Sequence, residues 1–342
     1  MAMQFRMAIE MAGCDVTAPS LPLTRDGVGD PDRQTELRVR AEQAADDLLS
    51  MIAQGRLVRP DVWFSYHVYY KAPDWIGPAV SASLGIPYVV AEGSHAPKRA
   101  SGPWKQGHDG ATRALEAADL ILAMTDFDRQ CLEILCPGRV RDFKPFIDVR
   151  AFLDPVEPRA FKGRLLAVGM MRNERKLQSY RLVADVMGLL PQHGYTLRIA
   201  GDGAFRGTVE GVLADAVTDG RVAFLGALSP AALRAEMRES DILLWPGIGE
   251  AYGVTYLEAQ ASGLPVVACR NRGVVDVTCD GQTALLCAPG DAACMAGAVE
   301  TLARDGARFA RMRAAAWDYV HAERSLERAS ALLRAHLDRL VA

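Results

Sequence analysis

The chain has 342 residues, half of them hydrophobic, with 39 Lys and Arg against 42 Asp and Glu, giving a formal net charge of −3. That length is too great for one ordinary core and fits two α/β domains, and a near-neutral acidic balance excludes a general nucleic-acid binder, which needs a basic stripe against phosphate. No apolar run approaches the roughly 18 residues of a membrane-spanning helix and the N-terminus lacks a signal-peptide core, so the chain reads as soluble and cytoplasmic, with at most a peripheral contact at the inner face of the membrane.

Seven Cys are scattered, the nearest two being Cys131 and Cys136. Neither C-x-x-C nor a Cys/His cluster occurs, so structural zinc and a disulfide framework are not expected and the thiols should be reduced and packed.

Residues 1–12, MAMQFRMAIEMA, carry a helical apolar period that stops at Gly13, and Asp15 to Ser20 reads as a short strand. A doubly wound domain normally opens with a buried strand and a Gly-rich turn before its first helix; here both are missing. Asp32 to Gln54 is a long charged helix, and Asp61 to Tyr66, DVWFSY, a buried strand. The following HVYYKAPDWIGP is an aromatic loop at a strand's carboxyl end, where function concentrates. Tyr66, His67, Tyr69, Tyr70 and Trp75 form either a stacking wall for a sugar acceptor or a hydrophobic cap on the sheet.

Pro87 to Glu92 is the next strand, and EGSHAPKR at its end sets His95 on a loop beside Lys98 and Arg99. A lone His is more often structural than catalytic. After the strand Asp119 to Thr125, Asp126 and Asp128 spell a D-x-D that can hold a divalent cation in some transferases. Thr125 and Asp128 also make an S/T-x-x-D cap opening the helix Phe127 to Leu135, and the absence of further gathered oxygen ligands favours the cap over a metal.

Lys144 to Pro158 holds three Pro and no long periodic segment, which makes it a linker and sets domains at 1–150 and 151–322, with a last helix over 323–342. Strands then recur at Arg164 to Met170, Thr196 to Gly201, Val222 to Gly226, Asp241 to Trp245, Pro265 to Cys269 and Ala284 to Cys287. Helices lie between them at Lys176 to Leu190 and at Pro230 to Glu239, the latter with Ser229 as N-cap and Pro230 at N1. This alternation predicts a doubly wound domain. Gly201-Asp-Gly203-Ala-Phe-Arg-Gly207 hints at a dinucleotide turn, but its spacing is G-x-G-x3-G, it lies deep in the chain, and no acidic residue ends the next strand, so a nicotinamide cofactor is not expected. From Asp291 onward the chain is nearly all helical, with Ser325 capping the last helix.

The chemistry gathers in residues 241–269, DILLWPGIGEAYGVTYLEAQASGLPVVAC, a strand, Gly-rich loop, helix and strand. Gly247, Gly249 and Gly253 let backbone approach a ligand closely, and the free N–H groups of a helix start favour phosphate. Glu250 precedes this cradle and Glu258 lies five residues beyond Gly253, roughly 7.5 Å along the helix axis. Carboxylates accept paired hydroxyls well, so a diphosphate with a sugar at one end and a ribose at the other suits the pair; the plainer alternative is a capped helix with two surface Glu. After Val168-Gly169 comes MMRNERKLQSY, whose Arg172, Arg175 and Lys176 can neutralise a leaving diphosphate.

Glu250-x7-Glu258, set in GEAYGVTYLEAQASGLPVVA, resembles the donor-site signature of family-4 retaining glycosyltransferases of the GT-B fold. The resemblance implies two facing Rossmann-like domains with a cleft between them, the first binding an acceptor and the second a nucleoside diphosphate sugar. It implies that Glu250 contacts the transferred sugar, Glu258 the ribose, and the amides of Ala251, Tyr252, Gly253 and Val254 the diphosphate. It also implies an Arg and a Lys on the loop after the first strand of the second domain, assigned to Arg172 and Lys176, although the family pattern puts Arg directly after the Gly, where this chain has Met170. A functional His on the facing domain becomes His95, and Tyr66, His67, Lys98 and Arg99 are candidate acceptor contacts.

The expected activity is metal-independent transfer of a hexose from a nucleoside diphosphate sugar, a co-substrate and not a cofactor, to a glycan, lipid-linked or small-molecule hydroxyl, as in polysaccharide biosynthesis. No carboxylate is placed as a nucleophile, so same-face attack, with the departing phosphate taking the acceptor proton, is the preferred mechanism. A sugar-nucleotide epimerase and a catalytically silent donor-binding partner subunit are the rival readings.

Overall fold

The computed structural model describes every residue except Asn173 and Ala342. The chain forms two compact units, one of Met1–Lys144 joined by the final helix from Ala329, the other of Pro145–Arg328. Among the described residues no helix is long and apolar enough to cross a membrane.

The first unit begins with helix α1 (Ala2–Met11). Residues 15–20, expected as a strand, are irregular. They bury no face and Pro19 lacks a donor, so nothing rewards a ladder there. Helix α2 (Pro31–Ala53) is started by Asp30, whose side chain accepts from the amides of Asp32 and Arg33, with Pro31 at the head of the helix. Then β1 (Trp63–Tyr66), α3 (Gly77–Leu84), β2 (Tyr88–Ala91), α4 (Lys105–Ala117), β3 (Leu120–Ala123), α5 (Asp126–Leu135) and β4 (Val140–Asp142) alternate. All four strands are parallel, in the order β1-β2-β3-β4. The inner strands YVVA and LILA are buried throughout, as expected of a sheet covered on both faces. Trp75, offered above as part of an aromatic wall, is only 8% exposed and packs with Leu37, Ala41 and Val80 between α2 and α3. It is a core residue, because α2 covers the loop that carries it.

The second unit contains β5 (Arg164–Val168), α6 (Glu174–Leu189), β6 (Thr196–Ala200), α7 (Arg206–Val212), α8 (Ala214–Thr218), β7 (Val222–Gly226), α9 (Pro230–Glu239), β8 (Ile242–Leu244), α10 (Val254–Ala261), β9 (Val266–Cys269), β10 (Ala284–Cys287), α11 (Ala292–Arg304) and α12 (Gly306–Glu323). Its six parallel strands run β10-β9-β8-β5-β6-β7. Strand order therefore reverses at β5 and β8, which pair through Leu165 with Ile242 and Leu166 with Leu243. The last helix, α13 (Leu326–Val341), starts in this unit and lies for most of its length in the first. Ser229 and Ser325 cap α9 and α13, accepting from the amides of Ala232 and Arg328.

Two cysteines depart from the expectation of reduced thiols: Cys287 and Cys294 form a disulfide with Cα atoms 5.8 Å apart. They lie seven positions apart, and the turn from β10 into α11 folds that interval back on itself, which spacing alone does not disclose.

Candidate functional site

The crevice beside a reversal of strand order, at the carboxyl ends of the strands, is where an open α/β sheet takes its ligand. In the second unit two loops flank it: the one leaving β5 into α6 and the one leaving β8 into α10. Gly201, in the loop after β6, carries a φ of +143°, and a side chain there would collide with the carbonyl of Gly169. Gly201 and Gly203, the latter against the carbonyl of Met171, thus let the β5 and β6 loops cross at backbone distance.

β8 runs into Trp245, which is 1% exposed and meets the ring of Tyr180 edge-on at 5.0 Å. The indole Nε1 donates to Glu250 Oε1 at 3.1 Å. Lys176 pairs with the same carboxylate oxygen and sits 5.4 Å from the centre of the Trp245 ring. The Lys176 and Glu250 side chains are 12% and 17% exposed, so the pair is largely withdrawn from water. Three hydrogen bonds pin the two loops. Ile248 N donates to Ser179 Oγ of α6 at 3.2 Å, Tyr256 OH to Trp245 O at 3.0 Å, and Tyr180 OH to Gly169 O at 2.5 Å. Burial raises both phenols above their ordinary range, with the Glu250 charge adding to the effect at Tyr256, so each remains a neutral donor.

Gly253 starts α10 with φ +55° and offers no side-chain cap. A Cβ there would lie 2.6 Å from the Tyr256 ring. Tyr256 N donates to Gly253 O at 2.9 Å, while the amides of Val254 and Thr255 at the helix start are left for an outside acceptor, and the helix dipole favours an anion. Ala251 is exposed and Tyr252, Gly253 and Val254 partly so. Arg175 lays its stem along Gly249, and Arg172 is exposed on the β5–α6 loop.

With Asp148, Phe152, Leu233, Arg234 and Met237, Glu258 lines a concavity of about 200 Å³ whose walls do not include Glu250. Burial raises its carboxyl above the usual range, and the nearby Arg234 partly offsets this.

In the first unit His95 turns toward His108 of α4, ring centres 5.3 Å apart, and burial followed by the His108 charge lowers its affinity for a proton. His67 pairs instead with Glu92, Nδ1 to Oε1 2.9 Å. Tyr66, His67, Tyr69 and Tyr70 form a run of neighbouring rings that continues into Trp104, 5.2 Å from Tyr70. Lys71 lies 5.0 Å from the Trp104 ring and Arg99 5.3 Å from that of Tyr70, while Lys98 is exposed. At the D-x-D, Asp128 N donates to Thr125 Oγ1 at 3.1 Å, and Lys144 Nζ to Asp126 Oδ1 at 2.8 Å. Among the described residues no cluster of three His, Cys, Asp or Glu could hold a metal.

Trp245, Arg234 and Glu92 are site residues that sequence alone does not single out. Only Trp245 carries a local signal, as the aromatic end of an apolar strand; Arg234 is four residues into an ordinary surface helix.

Residues 162–305 match the family model described as Glycosyl transferases group 1. This stretch is a group 1 glycosyl transferase domain. A glycogen synthase of Mycobacterium tuberculosis is 28% identical over 293 residues, covering 78% of this chain and 66% of that protein. A D-inositol 3-phosphate glycosyltransferase of Pseudarthrobacter chlorophenolicus is 33% identical over 222 residues, covering 61% and 51%. The chain thus spans about half to two thirds of the length of these curated relatives. Among solved structures, Anabaena Alr3699/HepE in complex with UDP superposes with a TM-score of 0.70 at 16% identity, covering 86% of this chain and 82% of that one. Sucrose-phosphate synthase from Thermosynechococcus elongatus gives 0.68 at 18%, covering 90% and 79%. The two parallel-sheet units share the fold of these GT-B structures.

Proposed function

We propose that the protein is a retaining glycosyltransferase that moves a hexose from a nucleoside diphosphate sugar to an acceptor hydroxyl without a metal. The observation that carries this reading is the trio of Lys176, Glu250 and Trp245 beside the uncapped start of α10, at the reversal of strand order. An anionic diphosphate meets the α10 amides, Lys176 and Arg172, and Glu250 is left to take hydroxyls of the sugar once a phosphate draws Lys176 away from it. Glu258 and Arg234 line a concavity suited to the ribose end. Named relatives that are glycosyltransferases and a structural neighbour solved with UDP-glucose support this donor class.

In the reaction the bond from the anomeric carbon to phosphate breaks as one to the acceptor oxygen forms on the same face. Negative charge accumulates on the diphosphate as that bond breaks, where the cations and helix amides lie, and the acceptor's proton passes to the departing phosphate oxygen. The acceptor is a glycan, lipid-linked or small hydroxyl compound of polysaccharide biosynthesis on the cytoplasmic side.

The test is incubation with UDP-glucose and, separately, myo-inositol, glucose or maltotriose, with product configuration read by NMR. Transfer with retained anomeric configuration is expected. Inverted product, or interconversion of the nucleotide sugar without transfer, overturns the reading.

A further inference from the structure

His67 and Glu92 are the two non-glycine residues with positive φ among those described, at +67° and +57°. They end neighbouring strands, for β1 closes at Tyr66 opposite Ala91 of β2. The chain is fixed on both sides of them: His67 N donates to Ala91 O at 2.8 Å, Glu92 N to Leu122 O at 3.1 Å, and Ser94 N to Val68 O at 2.9 Å. Left-handed backbone costs a residue with a side chain, Glu more than His, and such outliers persist where surrounding structure imposes them.

The result of the two turns is that the side chains meet, Nδ1 to Oε1 at 2.9 Å. An ionised carboxylate only accepts, so Nδ1 carries the hydrogen and a neutral ring presents Nε2 as an acceptor. Glu92 is sheltered at 17% exposed while His67 reaches out at 46%, and among the described residues no protein group engages Nε2. Tyr69 stands edge-on 4.6 Å from the imidazole, opening the run of aromatic rings. An outward hydrogen-bond acceptor beside aromatic surface suits a ligand with a hydroxyl and an apolar C–H face, which is a sugar or polyol.

We infer that His67 is a binding residue for the sugar or polyol acceptor, its Nε2 accepting a hydrogen bond from an acceptor hydroxyl, and that Glu92 is the positioning residue that fixes the ring. The identity of the ligand rests on the glycosyl-transfer reading; the ring's tautomer does not.

Two measurements test it. Long-range ¹H–¹⁵N spectra of the protein with labelled histidine, with the His67 signal among the six His assigned by its loss in His67→Asn, should show hydrogen on Nδ1, a preference lost in Glu92→Gln. Hydrogen on Nε2 in the parent overturns the inference. With UDP-glucose and the acceptors named above, His67→Asn should lower the acceptor kcat/KM by about three- to tenfold, as loss of one hydrogen bond does, while the donor KM moves less than about twofold. Asn is at ease in left-handed backbone, so this variant keeps the turn. A folded His67→Asn with the parent's acceptor kcat/KM overturns the inference, as does an equal loss for donor and acceptor. A parent that consumes no nucleotide sugar with any acceptor overturns the transferase reading instead, and the spectra still decide whether Glu92 sets the ring.

Discussion

Glu250 is held by Trp245 and Lys176, whereas Glu258 lies in its own concavity under partial burial, so the two carboxylates should fail in different ways when neutralised. Glu250→Gln keeps the shape but removes the charge that, on the proposed reading, answers the sugar as the glycosidic bond breaks. We expect kcat to fall on the order of 10² to 10³ with a much smaller change in donor KM, measured by steady-state kinetics. Glu258→Gln should weaken nucleotide binding, since a ribose contact is made alike before and during the reaction. It should also stabilise the fold at neutral pH. Burial raises the folded-state pKa of Glu258, so the folded protein holds the proton more tightly and loses stability as pH rises from the ordinary Glu value through the raised one. The gain in melting temperature from Glu258→Gln should therefore be present above that window and vanish below it. A pH-independent difference, measured by thermal melts, would show that desolvation of the carboxylate is not the cause.

At the scale of one element, α5 decides between a metal motif and a helix cap. Thr125 Oγ1 both accepts from Asp128 N and donates to Asp128 Oδ2 at 2.7 Å, and Asp126 is taken up by Lys144. Thr125→Ala is expected to cost about 1 kcal/mol of stability, as loss of an N-cap does, read by urea unfolding. On the proposed reading transfer should persist in EDTA, because Lys176, Arg172 and the α10 start would receive the leaving diphosphate. Turnover that stops on chelation and returns with Mn²⁺ would restore the Asp126 and Asp128 pair to the chemistry.

For the molecule as a whole, α13 ties the end of the chain into the first unit. Ala329, Leu333 and Leu337 are buried, and Arg334 Nη1 donates to Ala12 O at 2.7 Å just beyond α1. Burial of a Leu side chain stabilises by about 1.5–3 kcal/mol, so truncation after Arg328 should remove at least about 3 kcal/mol from the first unit. Calorimetry should show that unit melting earlier or not folding, while the second, whose six-stranded sheet lies wholly within Pro145–Arg328, keeps its transition. An unchanged first transition would mean that α13 is an appendage.

What the sequence determined by itself is what local physics controls. Buried parallel strands announce themselves as short apolar runs such as LILA and VVAC, because both faces are covered. Ser229-Pro230, Thr125 and Ser325 mark helix starts through hydrogen bonds that reach only two or three residues. Glu250-x7-Glu258 is legible because one turn and one helix carry it. The tertiary structure alone decided the rest, since each remaining feature joins residues that the chain separates. Lys176 reaches Glu250 across 74 positions only because β5 and β8 are neighbours in the sheet. Glu258 meets Arg234 through the packing of α9 against α10, Trp75 is core because α2 lies over it, and Cys287 finds Cys294 through the turn into α11. His67 and Glu92 meet through left-handed turns at adjacent strand ends, and no propensity of His or Glu announces a conformation that both residues disfavour and only the surrounding ladder enforces.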